Sequence, residues 1–120
     1  MKLAIASRGR DLNAEIDGRF GRAPYFIVID PESMEFEAVE NTRNLNAPQG
    51  AGIQSAQAVA SKGADYVIAG HCGPKAFKTL SAAGIRVIVG VEGTVAETVG
   101  MFKRGELRFS DGPDVEGGWV

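Results

Sequence analysis

Apolar residues come in short bursts, separated by stretches rich in glycine and proline, and their period changes along the chain. Leu3 to Ser7 is a short apolar run that predicts a buried strand. Residues 8–24 carry Gly9, Gly18, Gly21 and Pro24 and read as a long loop, a kind of segment that in compact domains is usually functional or mobile. Tyr25-Phe26-Ile27-Val28-Ile29-Asp30 is aromatic and β-branched and predicts a second strand. Pro31-Glu32-Ser33 turns the chain. Glu35 to Asn41 mixes polar and apolar positions, as an antiparallel partner strand with one wet face does.

Beyond a second loop at 44–52, with Pro48, Gly50 and Gly52, the spacing becomes helical. Ile53, Ala56, Val59 and Ala60 share one helix face over 53–62, and Gly63 stops the helix. Residues 64–70 predict a buried strand. Pro74 to Ala83 predicts a second helix with proline in its first turn, and 85–89 predicts another strand. Thr94 to Lys103 predicts a third helix opened by the capping box Thr94-Val95-Ala96-Glu97. Strand–helix–strand units imply parallel neighbours joined right-handedly. The expected fold is therefore α/β: a mixed five-stranded sheet, its first three strands antiparallel, followed by a parallel αβαβα portion with three helices. Residues 1–108 form one domain, and 109–120, which lack periodicity, read as a loose tail.

Composition narrows the function. The 120 residues suit one domain, and a 44% hydrophobic content argues against disorder. A net charge of −2 argues against a general nucleic-acid binder. No apolar stretch is long enough for a membrane span, and the N-terminus turns polar too soon for a signal peptide. A single cysteine, Cys72, permits no internal disulfide and fits a reducing cytoplasm. Charge is unevenly placed. Arg8, Arg10, Arg19 and Arg22 crowd the first loop, while acids gather at 30–40 and in the tail.

Ligands on open α/β sheets collect beyond the carboxyl ends of parallel strands. The loop after Ser7, the segment Gly70-His71-Cys72-Gly73-Pro74 and the segment Gly90-Val91-Glu92-Gly93-Thr94 should meet there. His71 and Cys72 are candidate metal ligands, since imidazole and thiolate suit soft or borderline metals. Equally, Cys72 can be a core filler, and neighbours on an extended segment point opposite ways. Gly18-Arg19-Phe20-Gly21-Arg22 offers two guanidiniums for an anionic guest, or else a solvated loop whose Phe20 plugs the core. Arg8 and Arg10 admit the same two readings. Clustered carboxylates for a metal-dependent nuclease, a Gly-x-Ser-x-Gly elbow and a phosphate-binding loop are all missing. The thin catalytic inventory favours binding over catalysis, with no catalytic residue assigned.

Several segments then fit one pattern. Ser7 with its following loop, Asp17-Gly18-Arg19-Phe20-Gly21-Arg22-Ala23-Pro24-Tyr25-Phe26, Gly50-Ala51-Gly52-Ile53-Gln54, and Gly73-Pro74-Lys75-Ala76-Phe77 through Gly93-Thr94-Val95 resemble the dinitrogenase iron–molybdenum cofactor biosynthesis family. The resemblance spans nearly the whole chain. It implies a ribonuclease-H-like fold without nuclease activity. It also implies a preassembled anionic metal–sulfur cluster as guest, of the molybdenum–copper sulfide type or a related Mo/Fe–S cluster. Gly50, Gly52, Gly73 and Lys75 lie on the matching segments and join Arg8, Arg10, Arg19, Phe20 and Arg22 as expected cofactor-binding residues. A cell-division-site-type ATPase is the partner it hints at. Arg19 departs from the pattern, because nitrogenase-related members carry histidine there, so an electrostatic role replaces direct ligation. The tail reads Val115-Glu116-Gly117-Gly118-Trp119 with no histidine beside the tryptophan, so no tail ligand is expected. Two other readings stay open: a thiol enzyme using Cys72 as nucleophile, and a cofactor-free module regulating an ATPase.

Overall fold

The computed structural model describes residues 1–41 and 51–112. Five strands form one sheet: β1 Leu3–Ser7, β2 Tyr25–Ile29, β3 Phe36–Glu40, β4 Tyr66–Ile68 and β5 Arg86–Ile88. Their spatial order is β3-β2-β1-β4-β5. β1 and β2 pair antiparallel, as do β2 and β3, whereas β1–β4 and β4–β5 are parallel. The helices are α1 Ala51–Ser61, α2 Pro74–Ala82 and α3 Val95–Lys103. The expected mixed sheet is thus present, with strands trimmed by one or two residues at their ends and α1 described from Ala51 rather than Ile53.

β1 lies at the centre because every one of its residues is apolar or small enough to be buried on both faces. Ala4 and Ala6 face one core, with Phe26, Val67, Ala56 and Val59 of α1, and Ala76 and Leu80 of α2. Leu3 and Ile5 face the other, with Ile27, Ile68, and Val95 and Val99 of α3. Alternation along one strand thereby separates two helical layers.

Register fixes which loops meet. Ser7 pairs with Tyr25 and Tyr25 with Glu40, so the chain leaves β3 at the end where β1 finishes. Helix α1 starts there too, secured by a buried polar node. Asn41 donates from Nδ2 to the Ala23 carbonyl at 2.8 Å, and Ser55 Oγ donates to Asn41 Oδ1 at 3.2 Å. β4 and β5 then run parallel to β1, so α2 and α3 also begin at this end. Three helix N-termini therefore point the same way.

α3 has the predicted capping box. Glu97 N–H donates to Thr94 Oγ1 at 3.1 Å, and Thr94 N–H donates to the Glu97 carboxylate at 3.0 Å. The Thr94 backbone and then its side chain hold the Glu97 carboxyl below its ordinary range. Past α3 the packed body continues beyond the expected boundary at 108. Phe109 stacks 5.3 Å from Tyr66 and under the Arg86 guanidinium, and Ser110 N–H donates to the Val87 carbonyl at 2.7 Å. The remaining expected tail, 113–120, lies outside the described residues.

Asn41→Ala strands the buried Ala23 carbonyl and Ser55 hydroxyl, so chemical denaturation should show a loss of about 1–3 kcal/mol. Because the Glu97 pKa is depressed in the fold, its contribution is full above the ordinary glutamate pKa and is lost as pH falls through the lowered value. The stability gap between wild type and Glu97→Gln, followed by thermal melting, should accordingly close on acidification.

Candidate functional site

The end of the sheet where three helices start is crossed by the first loop. Ser7 Oγ accepts from Gly9 N–H at 3.2 Å and donates to the Gly9 carbonyl at 2.8 Å, which turns the chain away from β1. A second turn follows at Asp11–Ala14. Residues 15–20 then return as an extended strap over the strand ends. Asp17 N–H donates to the Ala6 carbonyl at 2.9 Å, Ile16 N–H to Gly93 at 2.9 Å, and Phe20 N–H to His71 at 3.1 Å, while Gly70 N–H donates to Asp17 at 3.3 Å. The expected loop is therefore tied by backbone bonds to the segments after β1, β4 and β5.

Gly70 is required by this crossing. A Cβ there would lie 2.8 Å from Gly18 Cα and 2.9 Å from the Gly18 carbonyl oxygen, inside any tolerable contact. Phe20, the last strap residue, is fully buried with its ring 5.0 Å from Phe26. It anchors the strap and the 3-10 turn Phe20–Arg22 in the core, so its place is structural rather than on a cofactor surface.

Between the strap and the strand ends lies a cleft of ≈350 Å³, within the range typical of small-ligand sites. Arg8 lines it from β1, Gly70 and His71 from β4, and Gly90 to Gly93 from β5; Glu15, Ile16 and Gly18 of the strap complete it. The three segments expected to converge do so. Gly90 takes φ +78° and donates its N–H to the Gly70 carbonyl at 2.7 Å, which links two of the walls. Arg8 and Glu15 pair at 3.5 Å on the exposed rim.

The other expected site residues divide. His71 and Cys72 point apart: His71 lines the cleft, and Cys72 is fully buried in the core beside Phe20 and Ala76. Arg10 turns outward, with its guanidinium over the Tyr25 ring at 5.1 Å, Nε donating to the Tyr25 hydroxyl and an ion pair to Glu40. It holds the loop to the β2–β3 edge and does not line the cleft. Arg19 is exposed beside His71, its N–H donating to the Asp17 carboxylate at 2.9 Å. Arg22 lies in the 3-10 turn that packs on α1, and Gly52 in the first turn of α1. Gly73 is the N-cap of α2, which has no side-chain cap, and Lys75 is exposed in its first turn. These residues gather at the strap end of the sheet but outside the cleft. Gly50 lies outside the described residues.

Among the described residues, no group of three or more His, Cys, Asp or Glu side chains could hold a metal ion, and no helix is long and apolar enough to cross a membrane. Glu15 and Ile16 were not singled out by sequence, and Gly18 was noted only as part of the arginine-bearing loop segment.

The chain matches the family model described as dinitrogenase iron–molybdenum cofactor over residues 1–105. The apo form of the orange protein from Desulfovibrio gigas superposes with a TM-score of 0.93 at 39% identity, covering 95% of this chain and 96% of that one. A Thermotoga protein of the DUF35 family, solved by NMR, gives a TM-score of 0.79 at 42% identity, covering 90% and 91%. An uncharacterized protein of Methanocaldococcus jannaschii is 31% identical over 98 residues, covering 79% of this chain and 82% of its own length.

Gly70→Ala forces its methyl group against the Gly18 backbone. A loss of about 1–3 kcal/mol is expected by denaturant titration, with faster amide exchange at Asp17 and Phe20 as the strap lifts.

Proposed function

The chain belongs to the dinitrogenase iron–molybdenum cofactor family, and on that premise we propose that it binds and carries a molybdenum-containing metal–sulfur cluster as non-covalent cargo. The molybdenum–copper sulfide type is the guest we favour, as the resemblance of the sequence to the family implies. The role is that of a carrier rather than an enzyme.

The observation that carries this reading is that three helix N-termini and a strap of main chain share one end of the sheet, where a cleft of ≈350 Å³ opens between the strap and the strand ends. Helix N-termini favour anions. The N-terminus of α3 is satisfied internally by its capping box and by donation from Val95 and Ala96 N–H to the Ala14 and Leu12 carbonyls. That of α2 opens with Gly73 and no side-chain cap, two residues from His71. A polynuclear sulfide presents many acceptors, which suit amide and guanidinium donors better than a few rigid ligands.

The cleft also carries negative charge, because Glu15 and Glu92 line it. The Arg8–Glu15 pair is exposed on both sides, and such pairs contribute only about 0–1 kcal/mol. A multiply charged anion competes for Arg8 at little cost. Arg19 stands beside His71, where the strap can present it to the same guest. Cys72 is fully buried, which weighs against a thiol enzyme using its sulfur. The relatives described above name no ATPase, and the reading does not rest on one.

Anaerobic reconstitution with tetrathiomolybdate and copper(I), followed by gel filtration, tests the assignment. Visible charge-transfer bands should co-elute with the protein. Arg8→Gln and Arg19→Gln should each lower cluster retention several-fold, and Cys72→Ala should leave it intact. Absence of any co-eluting band from the wild-type protein rejects the proposal, and loss of the band in a folded Cys72→Ala variant rejects non-covalent carriage.

A further inference from the structure

At the far end of the sheet the surface has a different character. The large hydrophobic side chains exposed among the described residues are Met1, Met34 and Phe36, at 63%, 36% and 43%. Register brings them together, because Leu3 pairs with Ile29 and Ile29 with Phe36. A shallow groove of ≈230 Å³ opens there, lined by Lys2, Val28, Asp30, Glu35, Phe36 and Glu37.

β3 is an edge strand among the described residues, and its outward hydrogen-bonding groups can be assigned. Asp30 N–H donates to the Glu35 carbonyl at 3.0 Å, and Asn41 N–H to Pro24 at 2.8 Å. Bonded pairs alternate in an antiparallel ladder. Glu35, Glu37, Val39 and Asn41 therefore turn their amides toward β2, and Phe36, Ala38 and Glu40 turn theirs to the open edge. The usual protections of such an edge are charged side chains, lysine above all, proline, a bulge or a covering element, and here only the charges of Glu37 and Glu40 are present among the described residues. Residues 36–40 carry no lysine or proline, and their pairing with β2 is continuous.

The edge also has a charge sign. Residues 30–40 contain Asp30, Glu32, Glu35, Glu37 and Glu40 and no Lys or Arg. Lys62 pairs with Glu37 at 3.1 Å and Arg10 with Glu40, but Glu32 and Glu35 have no ion pair among the described residues. Along the strand the two faces differ: Glu35 and Glu37 lie on one, Phe36 and Ala38 on the other. The turn before it holds Met34 at φ +63°, a conformation that bulky side chains rarely adopt, and so projects a methionine at the same end.

We propose that the open edge of β3 is a docking strand for an extended segment of a partner protein in which basic and apolar side chains alternate. Main-chain bonds from Phe36, Ala38 and Glu40 supply the pairing. Basic side chains of the segment meet Glu35 and Glu37, and its apolar side chains cover Phe36 and Ala38. A second copy of this chain is the less suitable occupant, because it brings another five carboxylates to the same edge. The strand lies away from the cleft, so a partner can dock while cargo is held.

A short fluorescent peptide of alternating arginine and valine, titrated at low salt with anisotropy detection, tests this in the wild-type chain. Saturable binding is expected that weakens with added salt, with NMR shift changes centred on residues 34–40. A glutamate–valine peptide should bind at least about tenfold more weakly. Ala38→Pro removes an outward amide and breaks no bond to β2; it should weaken binding about tenfold or more. Phe36→Ser changes an exposed side chain and should weaken it several-fold even if the proline variant fails to fold. No saturable binding, shift changes centred on the cleft, or equal affinity for the acidic peptide overturns the proposal. So does a concentration-dependent dimer in sedimentation that excludes the peptide, which would make a second copy the occupant.

Discussion

The contact on which the molecule most depends is the crossing of two backbones at Gly18 and Gly70. There is no room for a side chain between them. That closeness lets Asp17 and Gly70 bond directly, and it sets the strap low across the strand ends. Raised by the thickness of a methyl group, residues 15–20 would lose their bonds to Ala6, Gly93 and His71 together. The cleft has its shape because its roof is held by main chain from β1, β4 and β5 at once. Its floor is as firm, since β1 is buried on both faces and cannot shift without disturbing two cores.

Much of this was legible in the sequence. The apolar runs at 3–7, 25–30, 64–70 and 85–89 mark strands because a sheet covered by helices on both faces needs largely apolar strands. The Thr94–Glu97 box marks a helix start because its two side chains answer two open amides. The loop 8–24 was recognisable as a loop, but its path was not. Its bonds to the sheet are made by backbone, which carries no residue signature, and the glycine that permits the crossing is one of many in the chain. The end of the sheet at which α1 begins also needed the register of β3, which spacing alone does not give.

The candidate site shows the same division. Arg8 and His71 reach the cleft because the chain must exit β1 and β4 there. Arg10, read beside Arg8 as an anion binder, is drawn away by Tyr25 and Glu40, partners that are close only in the fold. His71 and Cys72 are adjacent in sequence, yet they face opposite sides of an extended segment, one toward the cleft and one into the core. Phe20 likewise serves packing, and the guanidinium before it remains at the surface.

The strap's method of attachment has an evolutionary consequence. Its bonds to the sheet use amides and carbonyls, which every residue but proline supplies. Outward-facing side chains on this segment can therefore mutate freely without loosening its anchorage. The same scaffold can thus carry different side chains over the cleft by single substitutions while keeping one architecture.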